Sequence, residues 1–282
     1  DPRPLGKELY DILIGPVQKD LDGAHAATRL WSLDGPLRYL PIAALYDGGK
    51  YVVERYATGE FTGASLPRLG LADHGKWTGL GLGVTQEHTV TDIATGETLT
   101  FAALGGVPNE LSNVIADKPN AHGAIPGTTE IDAAFTRAAL LQGLDAQRPQ
   151  VVHIASHFAF RPGQDEDSFL LLGDGSQLTL SDIKSMPRLF SGVDLLTLSA
   201  CETAMGDTAD DGREVEGLGI IAQRQGTHAV LATLWQVSDA ATPEFMSRFY
   251  TTHQAPGHTA KVQAMRQAQL AMLAGKGGVP AV

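Results

Sequence analysis

Two apolar rhythms alternate along this chain. Residues 151–158, 194–200 and 229–234 form short runs rich in Val, Ile and Leu. Their length and composition suit strands buried on both faces. Around them, apolar residues recur at helical spacing, as over 215–224, 243–250 and 259–273. Strand-length runs alternating with helical ones predict a parallel sheet covered on both sides. The expected fold class is therefore α/β, a parallel-dominated sheet flanked by helices.

Ahead of that region, Leu5, Leu9, Ile12 and Leu13 predict a helix over 5–18, broken at Gly15-Pro16 and resumed over 17–21. Residues 28–33 read as a strand, Asp34-Gly35-Pro36 as a turn, and 37–40 as the returning arm of a hairpin. Residues 51–56, rich in β-branched and aromatic side chains, read as a further strand. The expected organisation is a small N-terminal lobe of hairpins and a helix over 1–75, then a core over 76–282. In that core 77–85 is the first strand, 86–101 a hairpin or polar insertion, and 109–116 a helix with Leu111, Val114 and Ile115 on one side. Thr128 or Thr129 is the expected cap of the next helix, which would turn Ile131, Phe135, Ala138 and Leu141 inward. Residues 168–172 read as a strand, 173–176 as a turn and 180–186 as a short helix.

Composition narrows the function classes. A chain of 282 residues with 43% hydrophobic and 19% charged side chains is ordinary for a globular protein with a sizeable core. The net charge of −11 argues against nucleic acid or an anionic membrane as direct partner. No apolar run is long enough to cross a bilayer. A single cysteine excludes an internal disulfide and fits a reducing compartment, the cytoplasm. The chain starts Asp1-Pro2-Arg3-Pro4 without a methionine or signal peptide, so a fragment of a larger protein is expected.

That one cysteine, Cys201, ends the buried run 194–200. A strand that stops at a thiol puts sulfur at the carboxyl edge of the sheet, where ligands of open α/β sheets bind. His157 ends another buried run, 44 residues earlier. If the two strands are neighbours, imidazole and thiol share an edge. An imidazole can then raise the thiolate fraction or take the thiol proton during attack. A histidine about fifty residues ahead of an Ala-Cys pair is also the caspase order.

Competing chemistries fit less well. Gly79-Leu80-Gly81-Leu82-Gly83 lacks the third glycine of a dinucleotide loop. His153 and His157 lack the glutamate of a zinc helix, and one cysteine supplies too few soft ligands for a zinc cluster. No G-x-S-x-G elbow is present, and Asp207, Asp210 and Asp211 miss the EF-hand spacing. No metal and no cofactor is expected. His153 lies inside a strand and reads as a hydrogen-bonded core histidine. Residues 207–213 read as a loop ordered by substrate or activator, or as a plain solvated connection.

The combined blocks resemble the CHAT domain, a caspase-like family often found beside tetratricopeptide repeats. Val152-His153-Ile154-Ala155-Ser156-His157-Phe158 and Ser168-Phe169-Leu170-Leu171-Leu172 with Leu178 are similar to its histidine block. Leu198-Ser199-Ala200-Cys201-Glu202-Thr203-Ala204 with Gly206 is similar to its cysteine block. Glu216-Gly217, residues 226–230 and 234–239, Phe249-Tyr250, residues 264–269 and the early segment 37–45 extend the likeness over nearly the whole chain. The resemblance implies peptide-bond hydrolysis by a His157/Cys201 dyad in a regulated bacterial effector, with backbone N–H groups of Phe158 and Cys201 as oxyanion hole. It also implies a protein substrate and a regulatory region or partner outside this fragment, such as tetratricopeptide repeats. The alternative is a catalytically silent caspase-like scaffold or interaction module. A weaker one is a cysteine acyltransferase using the same dyad.

Three positions depart from the family pattern. Phe158 stands where many relatives carry glycine. Ser199, two residues before the cysteine, is neutral where charge-selecting relatives carry glutamine or aspartate. The family's last strand, with its proline and aromatic pair, is not seen after Leu273. Any charge selectivity must therefore come from elsewhere. Asp239 is the first candidate, with Trp235 as pocket wall and Glu202 as a second carboxylate; a guanidinium can pair with a carboxylate and stack on an aromatic ring. Asp239 as a helix cap, and Glu202 as a brace on backbone amides, are the plainer readings.

Overall fold

The computed structural model describes residues 1–33, 37, 40–70, 75–93, 95–118, 122–159, 168–199, 211–233 and 241–275, with the side chains of 211–217 left aside. The N-terminal part opens with α1 (Arg3–Leu13), a 3-10 turn at Gly15–Val17 and α2 (Gln18–Gly23), so the break falls at the glycine–proline pair. Next come β1 (Thr28–Trp31), α3 (Val52–Arg55) and β2 (Ala57–Glu60). Two details differ from expectation. β1 takes β2 as a parallel neighbour rather than forming a hairpin with 37–40, where Leu40 N–H closes a turn on the Leu37 carbonyl at 3.1 Å. Residues 52–55 are helical despite their β-branched character, because the Glu54 carboxylate accepts from the Tyr51 N–H at 2.7 Å and caps the turn. Tyr10, Ile14, Ile42, Leu45, Val52 and Tyr56 form a separate apolar cluster here.

The rest of the chain runs through β3 (Gly79–Gly83), a hairpin of β4 (His88–Thr91) and β5 (Thr98–Phe101), α4 (Val107–Val114), β6 (Ile115–Ala116), β7 (Ile125–Ile131), α5 (Arg137–Gln147) and β8 (Val151–Ala155). It continues through β9 (Phe158–Ala159), β10 (Phe169–Leu171), β11 (Gln177–Thr179), α6 (Leu180–Ser185), β12 (Leu195–Ser199), α7 (Asp211–Arg224), β13 (Ala229–Ala232), α8 (Thr242–Gln254) and α9 (Lys261–Leu273). Among the described residues six strands form one sheet in the order β13-β12-β8-β3-β7-β6, and every pairing is parallel. The fold is thus α/β with small antiparallel sheets beside it, β4-β5 and β11-β10-β9.

One expectation fails at β7. Thr128 and Thr129 sit inside this strand and cap nothing; the following helix begins at Arg137, where the Thr136 hydroxyl accepts from the Ala139 N–H at 3.0 Å. That helix turns Leu140 and Gly143 inward and leaves Leu141 36% exposed.

The two faces of the sheet are covered differently. Leu80, Leu82, Val152, Ile154, Leu196 and Leu198 point into one core with Leu140, Ile183 and Ile221. On the other face β3 presents Gly81 and Gly83 to α4, and Gly79 to Ile115 of β6 and Ile125 of β7. A Cβ at Gly83 would lie 2.7 Å from Val107 Cγ1 and 2.8 Å from Leu111 Cδ1; one at Gly79 would lie 2.4 Å from Ile115 Cδ1. The alternating glycines therefore serve close helix packing. That closeness brings α4 within side-chain reach of β8 and β12.

Candidate functional site

β8 and β12 are direct parallel neighbours, with Thr197 opposite His153 and Ser199 opposite Ala155. The ladder continues one step further, since the Ser156 N–H donates to the Ser199 carbonyl at 3.3 Å. The next residue on the β8 side is His157. Cys201, two residues after Ser199, lies outside the described residues, as do Glu202, Trp235, Asp239 and most of the loop 207–213. The structure therefore brings the two strand ends together and describes His157 and Phe158 of the expected site.

His157 is fully buried and held from several directions. Its Nε2 bonds to the Ala102 carbonyl at 2.9 Å, and its ring packs on Phe101 with centroids 5.2 Å apart. A carbonyl only accepts, so Nε2 carries the proton and the lone pair of the neutral ring sits on Nδ1. The main chain is equally fixed. The His157 carbonyl accepts from the Leu171 N–H at 2.9 Å, and the hydroxyl of Ser156 donates to the Leu171 carbonyl at 2.6 Å.

Phe158 lies opposite Leu170 in the β9–β10 pair. The Leu171-to-His157 bond makes Phe158 and Leu170 a non-hydrogen-bonded pair. The Phe158 N–H is consequently directed away from β10. Its side chain is buried in the same core as Phe101 and Phe169, so the phenyl ring in place of glycine is absorbed by packing.

Behind the strand ends runs a buried polar chain that composition and spacing do not reveal. Glu110 on α4 is 4% exposed. Its Oε1 meets His153 Nε2 at 2.8 Å, and its Oε2 accepts from the Ser199 hydroxyl at 3.2 Å. His153 Nδ1 lies 3.2 Å from the Tyr250 hydroxyl, which lies 2.6 Å from Thr197 Oγ1. His153 is thus a core histidine with both nitrogens partnered, as its strand-interior position suggested. Burial drives the Tyr250 phenol well above the ordinary tyrosine range; the Glu110 charge adds to the rise and the Thr197 hydrogen bond opposes it.

Two contributors to the site escaped the sequence reading. The Ala102 carbonyl is main chain and has no side-chain signature. Glu110 did carry a signal, a charge on the apolar face of α4 beside Val107, Leu111 and Val114. Among the described residues no group of three or more His, Asp or Glu side chains is arranged to hold a metal ion, and no helix is long and apolar enough to cross a membrane. A family model described as "CHAT domain" matches residues 3–279. No curated protein matches the chain.

Proposed function

The chain belongs to the CHAT-domain family, of caspase-like cysteine-peptidase type, and from that premise we propose that it is a cysteine endopeptidase acting through His157 and Cys201. The observation that carries this reading is the placement of His157. It follows directly on the strand paired with the one that leads into Cys201, and the Ala102 carbonyl fixes its tautomer. In the acylation step the Cys201 thiol gives its proton to His157 Nδ1, and the sulfur attacks the scissile carbonyl carbon. The Phe158 N–H, turned away from β10, and the Cys201 N–H receive the charge developing on oxygen. His157 then gives the proton to the departing amine as the C–N bond breaks. Water, activated by the same imidazole, hydrolyses the thioester and returns the thiol.

The substrate is a protein, with Asp239, Trp235 and Glu202 proposed to line the pocket for the side chain before the cut. Control by a regulatory region or partner outside residues 1–282, such as tetratricopeptide repeats, and a reducing cytoplasmic location complete the proposal. The catalytically silent module is the second reading, and the full burial of His157 favours it. Labelling of Cys201 by an activated-ketone peptide, with proteome-wide mapping of cleavage sites, separates the two. Wild type should label and cleave, Cys201→Ala should do neither, and His157→Ala should come close to the same loss. Equal cleavage by wild type and Cys201→Ala would refute the peptidase reading.

A further inference from the structure

We propose that Glu110 is a positioning residue for the peptidase site, a single buried carboxylate that ties the strand carrying His157 to the strand leading into Cys201. This rests on the dyad reading above. The geometry is a bridge between neighbouring strands. Oε1 engages His153 on β8 at 2.8 Å, and Oε2 engages Ser199 on β12 at 3.2 Å. Ser199 receives a second tie from the β8 side, because its carbonyl accepts from the Ser156 N–H at 3.3 Å. Ser199, the last described residue before Cys201, is therefore clamped through both its main chain and its side chain.

The hydrogen-bond directions support the role. With the His153 proton on Nε2, the donors follow one sense. Thr197 donates to Tyr250, Tyr250 to His153 Nδ1, His153 to Glu110 Oε1, and Ser199 to Glu110 Oε2. Every member is satisfied, and the chain ends on the carboxylate. A carboxylate 4% exposed is costly unless partnered in this way. The apolar face of α4 would accept a leucine at this position without such a requirement. The bridge has a direct consequence for chemistry. A nucleophile and base misplaced by about an ångström lose on the order of a hundredfold in rate.

The single cysteine supplies a readout that needs no substrate. The rate of iodoacetamide alkylation against pH reports the thiolate of Cys201 in the intact 282-residue chain. In wild type the midpoint should lie below the free-thiol value of about 8.5. Glu110→Ala should move it up toward that value, while Glu110→Gln, whose amide oxygen still accepts from His153 Nε2 and whose amide N–H donates to Ser199 Oγ in a reversed bond, should restore it. Ser199→Ala cuts only the β12 end and should shift the midpoint in the same direction, with rescue by Ser199→Thr. It also serves as the test if Glu110→Ala fails to fold. Asp194→Asn, at the opposite end of the β12 strand, should lower stability and leave the midpoint in place. If Glu110→Gln shifts the midpoint as far as Glu110→Ala, charge rather than position is at work and the proposal falls. It falls equally if His157→Ala shifts the midpoint while folded Glu110→Ala and Ser199→Ala do not. If His157→Ala itself leaves the midpoint unchanged, the dyad reading fails instead.

Discussion

Three alanine substitutions, one in the glycine stripe of β3 and two elsewhere for comparison, should reveal how tightly α4 is set on the sheet. At Gly219, on α7, an added Cβ meets nothing among the described residues closer than Val230 Cγ1 at 3.7 Å, an ordinary contact. Gly219→Ala should stabilise by about 0.5–1 kcal/mol, the usual gain in a helix. At Gly83 the same methyl falls 2.7 Å from Val107 Cγ1 and 2.8 Å from Leu111 Cδ1. Both side chains are buried, and Val107, branched at Cβ, has little freedom to move aside. Relief requires α4 to move off the sheet by about an ångström, an overpacking cost of ~1–3 kcal/mol that outweighs the entropic gain. At Gly127, opposite Gly79 in β7, the methyl would lie 2.0 Å from the Gly79 carbonyl oxygen. Main chain cannot rotate away, so the loss should exceed about 3 kcal/mol. Urea melts followed by far-UV circular dichroism give the three values on one scale. Gly83→Ala should also raise the alkylation midpoint of Cys201, because α4 carries Glu110. A neutral or stabilising Gly83→Ala would show that close helix packing is not what these glycines provide.

Other expectations follow from charge and titration. Tyr250 is buried and its phenol is raised, so its neutral form favours the fold below the unfolded tyrosine value of about 10, and that contribution is lost as pH rises beyond it. Ultraviolet titration of wild type against Tyr250→Phe should show no ionisation from this ring until the protein unfolds; a difference spectrum appearing in the folded protein near pH 10 would contradict the buried network. Burial pushes the Asp182 carboxyl up, but hydrogen bonds from the Thr179 N–H and hydroxyl, with Arg137, outweigh it and hold the group below the ordinary carboxylate value. Its stabilisation is present above about pH 4 and fades as pH falls through the lowered value, so the gap in melting temperature between wild type and Asp182→Asn should close in acid; a gap constant down to about pH 2 would exclude this role. Asp239→Asn should weaken cleavage after arginine by up to ~2–3 kcal/mol more than cleavage after a neutral residue; an equal loss on both would place the pocket elsewhere.

Much of this protein is written in local pattern. The runs at 151–155 and 195–199 are mostly apolar because the strands they form are central and covered on both sides, so their near-continuous burial is visible without any partner. The same runs end at the polar residues that carry the proposed chemistry, which is why the histidine and cysteine blocks stand out. Elements whose surroundings differ from face to face were harder to read. β7 (Ile125–Ile131) is mostly half-buried and carries Thr128, Thr129 and Glu130, so its residues mimic a helix cap until β3 and β6 pair with it. Val52 and Val53 favour a strand by local propensity, yet one carboxylate from Glu54 on the Tyr51 N–H tips them into a helical turn.

Only the tertiary structure decided how the site is held. The Ala102 carbonyl that orients His157 belongs to main chain, where residue identity leaves no trace. The glycines of β3 look like a nucleotide loop in one dimension and become a seat for α4 in three. Glu110 reaches His153 and Ser199, 43 and 89 residues away in sequence, because that seat brings the helix close enough. Contacts over such separations depend on which strands become neighbours, and strand neighbours are chosen by the packing of the whole sheet rather than by any one segment.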